Sequence, residues 1–492
     1  MRRNPESLAA LLGIRRANDD LFRCASGMLT ADALLLRANL LAGKLPNARE
    51  RVIVPSDDPI AFLSGIMACW LSNDTAVAWR KSAIDIASLA KLTAATTSIS
   101  WDHLAGDWHI DRSLTASTGE QPGDLVILTS GSTGKPKGVA LDLGRVAVNA
   151  ALAGSKVGVS SCEFWAVDAD MSLMSPLGHT LMAWSNQVPV QHLGGLEWSS
   201  RSRLFAKGKG GYGGAPLQIR ELSQRMIGAG PHVIVSSGDF LPPALAAAVE
   251  ARFPEARLHK IYGLTEVSGR LCVLPHEQRQ RNPAAAGFPL PGFEVFVAGA
   301  GEPQESKGES KGESKGESKG ESKGESKEES GEICLAGPTL MCGYWRSGGD
   351  FEPMEGPVFR TGDLGSIASD GLVTVHGRRD DVFKVGAEKV DRHSIEQALQ
   401  STLGEREFCV LPVIHPVLGQ TPALFVACTD LEDLPSRASL VKAVRGKLPP
   451  RYLPSMTLFA GKTLPKLPNG KLDKQLLIHE FQKYPDLYVK QP

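Results

Sequence analysis

Residues 124–138 read DLVILTSGSTGKPKG. The opening, 124–130, is a short apolar run rich in β-branched residues and predicts a buried strand. It runs into three glycines (131, 134, 138), four hydroxyls (129, 130, 132, 133) and two lysines (135, 137), and a helical pattern begins near Val146. Glycines let main-chain amides approach an anion closely, and hydroxyls and ammonium groups complete a wrap for a polyphosphate. A Walker A loop would need Ser or Thr directly after its GxxxxGK, which is absent. The same order of strand, glycine turn and helix recurs in weaker form at HVIVSSGDF (232–240) before PPALAAAVEARF (242–253). Two such units predict an α/β fold with layered subdomains around largely parallel sheet.

Further along, EVFVAG (294–299), GEICLAG (331–337) and VFRTGDLGSIASDGLVTVHGR (358–378) read as strands, the last with a hairpin turn at Asp370-Gly371. They predict a small β-barrel-like part closing a large N-terminal domain, 1–379. Beyond the polar stretch GRRDDVFK, short strands (VFKV, FCVLPVI, ALFVAC) mix with helical patterns at 394–399 and 438–448, so 380–492 is expected to be a smaller, mobile α+β C-terminal domain. Five tandem GESK units occupy 308–327. With no apolar residue to offset the entropy of ordering, the insert 305–330 is expected to be a disordered surface loop between two strands.

The 492 residues carry 54 Lys+Arg against 54 Asp+Glu, and 42% are hydrophobic. Residues 305–329 hold six of those lysines and eight of the glutamates, so the remainder is only weakly positive. No basic stripe marks a nucleic-acid binder, and small-molecule chemistry is favoured. Eight cysteines, never in a CxxC pair, suggest reduced and mostly buried thiols rather than a zinc ribbon or disulfide scaffold. Residues 8–14 run into Arg15-Arg16 without a cleavage site, and the apolar run 60–71 is too short to span a bilayer. A cytoplasmic protein with no membrane span is expected.

LTSGSTGKPKG (128–138) resembles the signature of the adenylate-forming, AMP-binding superfamily, which includes acyl- and aryl-CoA synthetases. In the family's order follow YGLTE (262–266), GEICLAGPTLMCGYW (331–345), FRTGDLG (359–365), GRRDDVFK (377–384) and LPKLPNGKLDK (464–474). Six ordered matches are far more specific than any one of them. The resemblance implies an ATP site formed by Thr129, Ser130, Gly131, Ser132, Thr133, Gly134, Lys137, Gly238, Tyr262, Gly263, Asp363 and Arg378. Tyr262 would stack on adenine, Asp363 hold the ribose diol, Thr265 touch the α-phosphate and Glu266 bind Mg²⁺. Lys471 would be the mobile catalytic lysine, Asp380 the hinge, and His179 a group beside the substrate carboxylate. The acceptor implied is CoA or the phosphopantetheine of a free-standing acyl carrier protein. Where the family carries a glycine near that thiol, this chain has Ala387, with Gly386 one place earlier.

The run GKGGYG (208–213) fits GxGxxG, but SRSRLFAK before it is no strand, so a dinucleotide site is not expected. By resemblance, Tyr212, Gly213 and Gly214 line the acyl pocket. Amino-acid-activating relatives place an aspartate near His179, and none occurs between Met174 and Pro189, which disfavours an amino-acid substrate. Eighteen residues follow Lys474, so no fused carrier domain is expected. The function implied is ATP-dependent activation of an acyl or aryl acid through an acyl-adenylate. Its rivals are an acyl-AMP ligase loading a carrier protein and a nucleotide-binding relative without catalysis.

Overall fold

The computed structural model describes residues 3–13, 19–46, 48–114, 123–130, 136–298, 330–346, 348–379, 382–385, 388–404, 406–415, 419–428, 435–445, 448, 453–454, 456–459, 463–466 and 472–483. The GESK repeat, Gly131 to Gly134, Asp380, Gly386, Ala387 and Lys471 lie outside these residues, as does the side chain of Ser130. Among the described residues the strands form two large sheets, one of nine strands and one of eight, a four-stranded antiparallel sheet, and two smaller sheets after residue 381.

The apolar runs decide how the large sheets pack. In Val233–Ser237, Val233 and Val235 enter one core while Ile234 enters another, and all are fully buried. In Arg51–Pro55, Val52 and Val54 face that same shared core and Ile53 the far side. Side chains alternate across a strand, so a continuous apolar run requires both faces to be covered. The shared core contains Pro5–Leu12, Ala31–Lys44, Pro59–Ser72, Leu143–Val157 and Met174–Ser185, a helical layer between the two sheets. The segments Pro216–Arg225 and Pro243–Arg252 cover the outer face of the nine-stranded sheet, and Ile86–Thr93 covers that of the other.

The helix Pro59–Ser72 shows why the central layer forms. Asp58 caps it by accepting from the Ala61 amide at 2.8 Å, Pro59 opens it, and Asn73 closes it at φ 63°. From Ile60 to Ser72 every residue is buried, because the helix is apolar all round. No helix among the described residues is long and apolar enough to cross a membrane.

One local expectation is corrected. After Leu125–Ser130 the chain returns antiparallel as the strand Pro136–Leu141, and only then does the helix Leu143–Val157 begin. Val139, Ala140 and Leu141 are fully buried, with Val139 and Leu141 in one core and Ala140 in another, so the strand is the better burial solution. The helix N-terminus therefore lies a strand length, roughly 20 Å, from Pro136.

The strands read at 294–299 and 331–337 form as Glu294–Ala298 and Ser330–Ala336: they pair antiparallel, and Val358–Ile367 and Val373–Arg378 complete the four-stranded sheet. The GKGGYG run forms the central strand Gly210–Gly214 after the helix Trp198–Lys207, the reverse of a dinucleotide motif. Beyond residue 381, two apolar clusters draw only on residues 383–477.

Candidate active site

In the nine-stranded sheet, Phe164–Val167, Gly210–Gly214, Val233–Ser237 and Arg257–Tyr262 run parallel as neighbours. Their carboxyl ends, at Gly213, Ser237 and Tyr262, open onto a cleft of about 3270 Å³. Ligands in open α/β sheets bind at that end of the strands. The four-stranded sheet supplies Glu332, Thr361 and Asp363, the hairpin supplies Thr129 and Lys137, and the helix Arg392–Leu403 supplies His393. Phe240 and His393 meet edge to face at 5.1 Å across the cleft.

Asp363 sits opposite Arg378 in the register of the two hairpin strands. Arg378 Nη1 donates to Asp363 Oδ1 at 3.0 Å, the Tyr262 hydroxyl donates to Oδ2, and the Asp363 amide donates to Thr361 Oγ1 at 2.9 Å. Asp363 is buried, and burial together with the neighbouring carboxylate pushes the Tyr262 hydroxyl well up. A carboxylate held at both oxygens on a rigid β-hairpin is pre-oriented to accept from vicinal hydroxyls.

Glu266 lies in the one-turn helix Thr265–Val267, anchored by the Met341 amide donating to its carbonyl at 2.8 Å. Lys137 Nζ and the Tyr344 hydroxyl each donate to Oε1 at 2.9 Å, and the Lys137 ammonium also sits 3.9 Å from the centre of the Tyr344 ring. Burial opposes the charge of Glu266, but the Lys137 ammonium and these hydrogen bonds outweigh it and hold the carboxyl below its usual range. Neither contact uses Oε2. Among the described residues no three His, Cys, Asp or Glu groups gather around one point. A single carboxylate with a free-facing oxygen fits Mg²⁺, which takes one or two protein carboxylates and completes its shell with phosphate oxygens and water.

His179 is fully buried in the helix Met174–Ser185, stacked on Trp165 at 5.9 Å. Its Nε2 lies 3.0 Å from Ser237 Oγ, which lies 2.9 Å from Ser175 Oγ. Burial, reinforced by the Arg270 charge, holds the imidazole well below its ordinary pKa, so it is neutral. Gly213 lies under it: a Cβ there would be 2.5 Å from His179 Nδ1.

The structure brings Thr129, Lys137, Gly238, Tyr262, Gly263, Thr265, Glu266, Asp363 and Arg378 to one cleft, with Gly213 and Gly214 beside them. His179 and Tyr212 are buried behind its wall. Glu332, Tyr344, Ser237 and Arg270 were not singled out from sequence. Glu332 accepts from Arg360 at 2.6 Å, Arg379 at 3.1 Å and the Gly362 amide at 3.1 Å, which locks the Asp363 hairpin. Glu332 and Tyr344 both lie in the GEICLAGPTLMCGYW match, the one signal pointing to them.

The AMP-binding enzyme family matches residues 215–345. The 2-succinylbenzoate–CoA ligase of Bacillus mycoides is 26% identical over 385 residues, 73% of this chain and 69% of its own. The D-alanine–D-alanyl carrier protein ligase of Lacticaseibacillus casei is 25% identical over 384 residues, 72% of this chain and 70% of its own. Among solved structures, the o-succinylbenzoate CoA synthetase of Bacillus subtilis, bound to its acyl-adenylate intermediate, superposes with a TM-score of 0.76 at 18% identity, covering 97% of this chain and 98% of that one. The chain is thus similar to AMP-binding enzymes over residues 215–345 and shares the fold of an o-succinylbenzoate CoA synthetase along nearly its whole length.

Proposed function

We propose that the protein activates an organic carboxylic acid with ATP, forming an acyl-adenylate and pyrophosphate, and then transfers the acyl group to CoA. The observation that carries this reading is the joint placement of the Tyr262–Asp363–Arg378 cluster and the Lys137–Glu266–Tyr344 cluster on one cleft at the strand ends. In this reading Tyr262 presents its ring to adenine and Asp363 accepts from the ribose hydroxyls. Gly238, at φ 89°, and Gly263 form main-chain walls, since a Cβ on Gly263 would be 2.0 Å from the Gly269 carbonyl oxygen. Thr129 and Thr265 face the phosphates. Glu266 would hold Mg²⁺, which would supply neutralisation of the phosphate charge. Lys137, held against Glu266, is released toward the phosphates as they enter.

By resemblance Lys471 bridges the attacking carboxylate and the α-phosphate, and the segment after Asp380 turns between an adenylating and a thioester-forming pose. Domains 1–379 and 380–492 are the units that move. Neutral His179 cannot repel an incoming cation, yet it offers no carboxylate to hold an amine, so the acid is an acyl or aryl one. CoA as acceptor is supported by the names of the Bacillus relatives, whereas the Lacticaseibacillus relative names a carrier protein. Eight free thiols suit a reducing compartment such as the cytoplasm.

The test is acid-dependent exchange of pyrophosphate into ATP over fatty, aromatic and short-chain acids, followed by thioester formation with CoA or with a carrier protein. Lys471→Ala should lower adenylation by at least a hundredfold while thioester formation from a supplied acyl-adenylate stays within a few fold. Equal loss in both halves would overturn the role of Lys471, and exchange with no acid at all would overturn the function.

A further inference from the structure

Arg270 lies just past the turn that carries Thr265 and Glu266, buried at 3% exposure on the wall of the cleft. Its Nη2 donates to the Ser175 carbonyl at 3.4 Å, and its Nη1 is buried with no hydrogen-bond partner among the described residues. Burial alone lowers its pKa to about 10, with no carboxylate among the described residues opposing it. Three carboxylates of the cleft pair with cations of their own: Glu266 with Lys137, Glu332 with Arg360, Asp363 with Arg378. The buried Arg279 likewise has Glu250. A buried guanidinium without a counter-ion is costly unless something else neutralises it.

The helix packed against it adds a positive end rather than a counter-charge. The guanidinium lies against Gly178, where any Cβ would be 1.7 Å from Nη1, so the helix Met174–Ser185 makes room for it with a glycine. That helix has no acidic residue in its first turn, and its positive end faces the cleft through Met174 and Ser175. Next along, His179 has its Nδ1 buried and without a partner among the described residues. Ser175, Ser237 and His179 already bond one another, so they add hydroxyl dipoles but no negative charge.

We infer that Arg270 is a specificity-determining residue that receives a second anionic group on the acid, so that the preferred substrates are dicarboxylic acids. The proposal rests on the function given above and names its substrate class. The reacting carboxylate meets the α-phosphate beside Thr265, whereas Arg270 is set behind that point among Ser175, Gly178 and His179. A diacid spanning the two places matches one end to the chemistry and the other to the unpaired guanidinium. An amine or a plain alkyl terminus there leaves the charge uncompensated.

Matched acids distinguish the possibilities: hexanoic and adipic, octanoic and suberic, benzoic and terephthalic. In pyrophosphate exchange with the wild-type protein, at least one dicarboxylic acid should exceed its monocarboxylic partner at least tenfold in kcat/KM. Arg270→Met and Arg270→Gln should reverse that preference, chiefly through KM for the acid, with KM for ATP unchanged, and Arg270→Lys should keep part of it. Equal loss for both acids of a pair, or a parallel rise in KM for ATP, would place Arg270 on the reacting carboxylate or the phosphates and overturn the proposal. So would a wild-type preference for monocarboxylic acids throughout. Binding is read separately by the thermal midpoint of the wild-type protein in each acid without ATP. A rise with no dicarboxylic acid overturns the proposal whatever the variants do. If no acid supports exchange but a dicarboxylic acid alone raises the midpoint, the anion site stands and the catalytic reading fails.

Discussion

Asp363 shows how one side chain gathers its meaning from three strands. The sequence FRTGDLG marks it as a turn or diol-binding carboxylate, but its strength comes from Arg378 opposite it and the Tyr262 hydroxyl from another sheet. Asp363→Asn keeps the shape and removes the charge that Arg378 and a ribose both use, so KM for ATP should rise about tenfold, ~1.4 kcal/mol. Calorimetric titration with ATP checks it; unchanged affinity would leave Asp363 a purely structural hairpin residue. Tyr262 and Asp363 were readable because each sits in a compact motif. Arg270 was not, since an arginine after SG carries no pattern, and its lack of a counter-ion among the described residues exists only once the chain is packed.

The strand Gly210–Gly214 illustrates how an element can be built for the space it leaves. Gly211 lies under Trp165 and Gly213 under His179, with virtual Cβ contacts of 2.2 Å and 2.5 Å. Glycines weaken a strand, but here they let two large rings pack across the sheet beside the cleft. Gly213→Ala should push His179 off Ser237 and destabilise the fold by about 1–3 kcal/mol. KM for the acid should rise while KM for ATP stays near its original value. A drop in the thermal midpoint with equal effects on both substrates would refute a local role. The hairpin 125–141 teaches the complementary lesson. The helix read from about Val146 forms as Leu143–Val157, but the strand Pro136–Leu141 before it was not legible, because its apolar residues reveal their burial between two cores only once packed.

For the molecule as a whole, the layered packing has a pH signature. His259 is buried, its Nδ1 accepts from the His276 amide at 3.3 Å, and its Nε2 has no partner among the described residues. Burial, with Arg257 nearby, lowers its pKa from 6.5 to about 4. As pH falls below 6.5 the unfolded chain takes up a proton that the folded chain refuses until about 4, so stability is lost across that window, by about 3 kcal/mol in total. Buried His179 acts in the same direction. Urea midpoints between pH 7 and 4.5 should fall with acid, and His259→Gln should flatten the slope; parallel slopes for the two proteins would refute the assignment. The sequence alone indicated the class of fold and the strands at 294–299 and 331–337, because strand periodicity and turn chemistry are local properties of the chain. The union of Lys137, Glu266 and Tyr344, the Glu332 hub and the uncompensated Arg270 were settled by packing, because burial and charge balance depend on which distant segments meet.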